Sequence, residues 1–240
     1  MERLDKIVAT GGGVSRSDAR KLILKGAASV NGKTVRDISH KVSPETDEVT
    51  LNGNTIVYKK YLYLMMNKPK GVLTATEDKN KQTVIDLIPN ELRRHDLFPV
   101  GRLDKDTTGL LIITNDGDFA HNLLSPNKKV PKKYFVVLDG IIKEEIVEKF
   151  AKGVTLYDGT ELTAANLEIL DDPSTAIVTI TEGKYHQIKR MFGVFDLGVN
   201  DLKRISFAGL SLPPNLPEGG VCELDVNELR CINSGKNNIK

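Results

Sequence analysis

Apolar residues in the first sixty positions recur at helical spacing and then give way to short β-favouring runs. Leu4, Ile7 and Val8 fall at i, i+3 and i+4, which predicts a short helix over residues 3–10 closed by Gly11-Gly12-Gly13. A second helix is expected from Ser15, a good N-cap, with Asp18 at the position the helix dipole favours. It runs to Lys25 and stops at Gly26. Asn31-Gly32 and Asn52-Gly53 each sit between β-favouring residues and predict two tight hairpins. Residues 57–60 read as a linker.

Beyond the linker, apolar runs at 61–66, 110–114, 134–138, 176–180 and 205–212 alternate with helical patterns at 83–87, 118–124, 143–152 and 186–192. This alternation predicts an α+β chain: a small module over 1–58, then a larger domain over 59–232 on a mixed, mainly antiparallel sheet flanked by helices. Residues 233–240 are polar and read as a frayed tail.

Composition narrows the class without naming a function. With 240 residues, 40% hydrophobic and 28% charged, the chain can bury a sizeable core. No run approaches the ~18 apolar residues of a membrane helix, and the N-terminus shows no signal-peptide apolar stretch. A cytoplasmic protein is expected. Cys222 and Cys231 are too few for a disulfide framework or a four-ligand zinc site and read as reduced thiols. The net charge of +2 is uneven: residues 1–60 carry eleven Lys and Arg against seven Asp and Glu. A basic module on a near-neutral body suggests an anionic partner gripped at one end.

Candidate chemistry lies in a few places. Arg16 and Arg20 fall one turn apart with Lys21 beside them; with Lys25, Lys33 and Lys41 they form either a phosphate patch or an ordinary solvated face. In the stretch Gly101-Arg-Leu-Asp-Lys-Asp-Thr-Thr-Gly-Leu110, Asp104 is either a turn former or a carboxylate presented by a rigid strand and kept ionised by Arg102 and Lys105. Asn115-Asp116-Gly117-Asp118 reads as a turn into a helix. The triple glycine is no phosphate loop, since no Gly-Lys-Ser/Thr follows it.

Residues 3–50, through Ser15-Arg-Ser-Asp-Ala-Arg-Lys-Leu-Ile-Leu-Lys-Gly and Val30-Asn-Gly-Lys, resemble the S4 RNA-binding module. Four further segments carry a second resemblance: Asn67-Lys-Pro-Lys-Gly71, Gly101-Arg-Leu-Asp104, Lys132-Lys-Tyr134 and Glu182-Gly-Lys-Tyr-His-Gln-Ile-Lys-Arg-Met191. Their order is similar to the RsuA branch of pseudouridine synthases (RsuA, RluB, RluE and RluF), which join an S4 module to a synthase domain. The match covers nearly the whole chain. It departs near Gly219-Gly-Val-Cys-Glu-Leu224, which lacks a basic residue before the Glu-Leu.

The resemblance implies isomerisation of uridine to pseudouridine in ribosomal RNA, with small-subunit rRNA the first expectation and large-subunit rRNA the alternative. It assigns the reacting carboxylate to Asp104, as nucleophile or as base. Tyr134 stacks on the target base, Lys189 pairs with Asp104, and Ile188 packs against the base. Arg102 helps open the RNA helix or holds the vacated position. Lys184 and Arg190, with Lys203 and Arg204, support binding, and His186 and Gln187 position the helix or contact RNA. Arg16, Arg20, Lys21, Lys25 and Lys33 are the expected RNA contacts of the S4-like module. The partner is ribosomal RNA or an assembling subunit, the protein a monomer, and neither metal nor cofactor is expected. Two rivals are a non-catalytic RNA-binding assembly factor and a glycosylase, for which Asp106 is the near second carboxylate.

Overall fold

The computed structural model describes residues 1–234, which form two compact units. One contains Met1–Leu62 and Pro89–Asp96; the other contains Tyr63–Ile88 and the chain from Leu97. Nothing in the local pattern of Pro89–Asp96 announces that it packs with the first unit.

In the first unit, β1 (Glu2–Arg3) leads into α1 (Leu4–Gly11), followed by α2 (Arg16–Leu24). The Ser15 hydroxyl accepts the Asp18 backbone N–H at 3.1 Å, satisfying one orphan donor of α2. The chain then forms β2 (Ala28–Val30), β3 (Lys33–Thr34), β4 (Lys41–Val42), β5 (Val49–Leu51) and β6 (Asn54–Thr55). Both Asn-Gly pairs are left-handed at both residues, with φ of 50° and 76° at Asn31-Gly32 and 50° and 82° at Asn52-Gly53. That is the turn whose twist matches paired strands. Leu4, Ile7 and Val8 pack with Ala19, Ile23, Ala28, Val30 and Val49 into one buried core.

The second unit is built on a sheet of β7 (Tyr63–Lys68), β8 (Phe98–Pro99), β9 (Thr108–Thr114), β10 (Lys132–Leu138), β11 (Asn166–Ile169), β12 (Thr175–Ile180), β13 (Val199–Phe207), β14 (Leu210–Ser211) and β15 (Val221–Glu223). Its central order is β11-β12-β10-β13-β9-β7-β15, and only the β9–β13 pair is parallel. Four helices accompany it: α3 (Gly117–Leu124), α4 (Glu144–Lys152), α5 (Gln187–Gly193) and α6 (Val226–Ser234). On α5, Ile188, Met191 and Phe192 are buried, and Phe192 lies 5.0 Å from the Phe150 ring of α4. No helix among the described residues is long and apolar enough to cross a membrane.

Three local expectations change. Residues 83–87 make a turn, not a helix: the Asp86 carboxylate accepts both the backbone N–H and the hydroxyl of Thr83. Five residues ahead of Pro89 cannot repay helix nucleation. The 205–212 run splits into β13 and β14 around Ala208 and Gly209, both left-handed. Asn233 and Ser234 end α6, and the rest of the expected tail, 235–240, lies outside the described residues. The 115–118 turn does lead into a helix, with Asp116 as its cap: its carboxylate accepts the Phe119 N–H at 3.0 Å.

The parallel join depends on Gly109. Its φ is 98°, and a Cβ there would stand 2.2 Å from the Arg204 carbonyl oxygen. A Gly109→Ala variant combines backbone strain with a backbone clash. It is expected to lose at least ~3 kcal/mol, read as a lowered thermal midpoint.

Candidate active site

The segment between β8 and β9 carries Asp104, and three anchors hold it against the sheet. Lys68, at the end of β7, has no exposure to solvent. Its ammonium donates to the carbonyls of Pro69, Lys105 and Thr107 at 3.1, 3.2 and 3.0 Å. Those three bonds use all the donors an ammonium has. Burial pulls this lysine down to about 8, while the Asp106 and Asp104 carboxylates oppose the shift. Thr74 supplies the second anchor: its hydroxyl donates to the Leu103 carbonyl at 2.7 Å and accepts the Leu103 N–H at 3.2 Å. The third is the Gly71 N–H, which donates to the Lys105 carbonyl at 2.8 Å. A polar loop thereby acquires the rigidity of the strand beneath it.

Asp104 faces a cavity of about 780 Å³. Tyr134 from β10, Ile180 from β12, Ile188 from α5 and Leu202 from β13 form apolar wall, while Arg102, Lys184 and His186 belong to its polar lining. Tyr134 and Ile188 are 7% and 3% exposed, so what each offers is a small buried face turned to the cavity. The cavity sets a carboxylate and charged groups beside an apolar wall against which a flat ring can lie.

Several expected contacts are rearranged. Lys189 does not pair with Asp104; its ammonium binds the Asp106 carboxylate at 2.5 Å. Asp106 sits two residues further along the loop and 55% of its side chain is exposed, so it meets the cation first. The hydrogen bond from Lys189 holds the Asp106 carboxyl below the usual carboxylate range. The side chain that approaches Asp104 is His186, its Nε2 3.5 Å from Oδ1. Gln187 is buried and makes no outward contact: it donates to Glu182 at 3.0 Å and accepts the Lys184 N–H at 2.9 Å, bracing the turn into α5. Arg190 is ion-paired with Asp158, and the Lys184 ammonium caps the Glu161 carbonyl at 2.8 Å. Arg102 remains exposed at the cavity.

Arg204 and Lys203 are absent from the lining of the Asp104 cavity. Arg204 is 2% exposed and donates to the Leu110 carbonyl at 2.7 Å, with its guanidinium 4.8 Å over the Phe207 ring. Lys203 pairs in register with Phe135 and lines a smaller hollow on the face opposite Tyr134. Strand alternation decides both placements.

Comparison with known proteins now adds to the geometry. The sequence pattern of RNA pseudouridylate synthases matches residues 62–193, and that of the S4 domain matches residues 2–53. The chain belongs to the RNA pseudouridylate synthase family. It is 46% identical to an uncharacterised RNA pseudouridine synthase of Bacillus subtilis, YtzG, over 96% of this chain and 98% of that one. It is 37% identical both to ribosomal large subunit pseudouridine synthase B of B. subtilis and to ribosomal small subunit pseudouridine synthase A of Escherichia coli. Those matches span 99% and 96% of this chain, and 99% of each relative. A crystal structure of a pseudouridylate synthase superposes with a TM-score of 0.68 at 32% identity, covering 97% of this chain and 100% of that one.

In the S4 unit of this synthase the expected basic patch is tethered. Asp5 is fully buried and takes Arg3, Arg16 and Arg20 at 3.0, 3.2 and 3.0 Å. Burial alone would raise the Asp5 carboxyl; the hydrogen bonds from the three guanidinium groups outweigh it and hold the carboxyl far below the usual range. Lys21 pairs with Asp18 at 2.9 Å, while Lys25 and Lys33 are exposed. Arg16 and Arg20 still leave 47% and 48% of their side chains in solvent, so they are oriented without being covered.

Asp5 and Lys68 had no assigned role in the sequence. Lys68 did stand within the Asn67-Lys-Pro-Lys-Gly71 segment that carried the resemblance. The Thr74 anchor had no local signal. Replacing Lys68 by Met leaves three buried carbonyls without their donor. The synthase is then expected to lose ~3–5 kcal/mol of stability, and turnover to drop further than RNA affinity. Wild-type turnover should also decline as pH rises past about 8, where the ammonium gives up its third bond. Calorimetry and a pH series of initial rates check the two effects.

Proposed function

We propose that this synthase converts a uridine of small-subunit ribosomal RNA to pseudouridine, with Asp104 as the reacting carboxylate. The observation that carries the reading is the Asp104 carboxylate, on a loop anchored by Lys68 and Thr74, at the edge of a cavity walled by Tyr134 and Ile188. The isomerisation breaks the C1′–N1 bond, turns the freed base and rejoins it through C5. C5 loses a proton and N1 gains one, so the balance calls for no oxidant and no phosphoryl donor.

Each step has a side chain to serve it. Asp104 stands where the ribose of a flipped nucleotide arrives, as nucleophile at C1′ or as base in forming a glycal-like intermediate. Tyr134 gives the detached base a stacking face, worth roughly 1–3 kcal/mol, and Ile188 closes the other side. Arg102, exposed at the cavity, meets the strand from which the base is drawn; flipping costs a few kcal/mol. Arg16 and Arg20, oriented by Asp5, with Lys25 and Lys33 supply phosphate contacts that help offset it. The protein acts as a monomer in the cytoplasm.

A relative named for the large subunit matches at the same 37% identity as one named for the small subunit. Large-subunit rRNA is therefore the second reading of the target. Carbodiimide-based pseudouridine mapping of rRNA from cells lacking the protein decides between them. One small-subunit signal should vanish and return with wild type but not with Asp104→Asn. Loss of a large-subunit signal corrects the target and leaves the chemistry; no change at any site favours a binding factor. In vitro, Asp104→Asn should abolish turnover with RNA affinity within about threefold, under ~0.7 kcal/mol. Arg16→Ala with Arg20→Ala should weaken binding and flatten the log–log salt dependence by roughly 0.7–0.9 per lost phosphate contact. An unchanged slope removes this face from the RNA path.

A further inference from the structure

His186 stands where the cavity wall turns into α5. Its backbone is left-handed, with φ 48° and ψ 34°, a conformation uncommon outside glycine though less so for His. Its ring stacks on Tyr185 with centroids 3.8 Å apart and planes 18° apart, which fixes the plane of the imidazole. Its Nε2 lies 3.5 Å from Asp104 Oδ1. The neighbouring cations are engaged elsewhere: Lys189 on Asp106, and Lys68 on three carbonyls. Among the described residues, the imidazole is the basic side chain seen within 4 Å of the Asp104 carboxylate, while Arg102 stays exposed at the cavity.

We propose that His186 is a positioning residue for Asp104: its Nε2–H holds Oδ1 and thereby turns Oδ2 toward the nucleotide. The inference rests on the reading of Asp104 as the reacting carboxylate. A carboxylate on a short side chain has a free rotation that swings its second oxygen over more than an ångström, and a misplacement of that size costs about 100-fold in rate. A 3.5 Å separation is long for a hydrogen bond. Bonds of this kind shorten when substrate fills an active site. The left-handed turn is what brings the ring back across the cavity; a right-handed residue there would carry the side chain along α5.

Three variants separate the imidazole from the backbone it sits on. His186→Gly adopts the left-handed turn without strain and removes the donor. His186→Asn also suits that turn, but its amide is too short to reach Asp104. His186→Gln places an amide N–H close to where Nε2 stands. Expected are a roughly 10–100-fold loss of kcat in the Gly and Asn variants, with RNA Kd and thermal midpoint near wild type, and recovery to within several-fold in Gln. Wild-type kcat in Gly and Asn would show that the residue serves only the turn and would overturn the proposal. So would Gln no better than Gly, or a loss confined to RNA affinity. Asp104→Asn measured alongside keeps the two readings apart. If it turns over, the assignment of Asp104 fails; if it is dead while His186→Gly is fully active, only the role of His186 fails.

Discussion

One buried ammonium governs where the Asp104 carboxylate stands. Lys68 ends strand β7, and its three bonds converge on carbonyls from Pro69, Lys105 and Thr107. A charge taken out of water is costly unless every donor is matched and opposite charge lies near. Here both conditions are met, with Asp104 and Asp106 close enough to pull against the effect of burial. The loop cannot shift without leaving that charge unsatisfied. The position of Asp104 is therefore a property of the sheet, and Gly109, which lets β9 lie against β13, belongs to the same construction.

Several basic residues beside the cavity and on the S4 unit are held by acids. Lys189 has Asp106, Arg190 has Asp158, and Arg3, Arg16 and Arg20 share Asp5. Three guanidinium groups around one carboxylate leave surplus positive charge, and the half-exposed side chains of Arg16 and Arg20 are already oriented. A phosphate arriving there loses less to side-chain ordering than it would on free lysines. Lys25 and Lys33, unlike these, present mobile point charges. The same unit thus offers both a fixed and an adaptable set of contacts to an anionic backbone.

What the sequence revealed follows from how local the controlling chemistry is. Ser15 caps α2 through a residue three positions away, and Asn31-Gly32 needs only its own φ angles, so both were legible. The partner of Lys189 was not. Asp104 and Asp106 differ by two positions, and choosing between them requires the path of a loop held by Thr74 and Lys68 from elsewhere in the chain. Arg204 looked like a surface cation beside Lys203, yet adjacent residues of one strand face opposite ways, and the Leu110 carbonyl claims the arginine. Lys68 shows the converse. Its motif drew attention, but only the buried ammonium shows why a lysine sits there.

The arrangement also bears on why an isomerase fits this cavity better than a hydrolase. Releasing the base to water would need a second carboxylate free to activate that water. Asp106 and Asp78 are the other carboxylates on the cavity lining. The hydrogen bond from Lys189 holds the Asp106 carboxyl below the usual range, which makes it a poor base, and Asp78 is occupied by the backbone N–H groups of Asn80 and Lys81. Meanwhile Tyr134, Ile180, Ile188 and Leu202 line the space where a detached base would wait. An apolar wall gives a detached base a face to stack on beside the sugar. One anchored carboxylate, an ion-paired neighbour and that stacking face together favour rejoining through carbon over loss of the base.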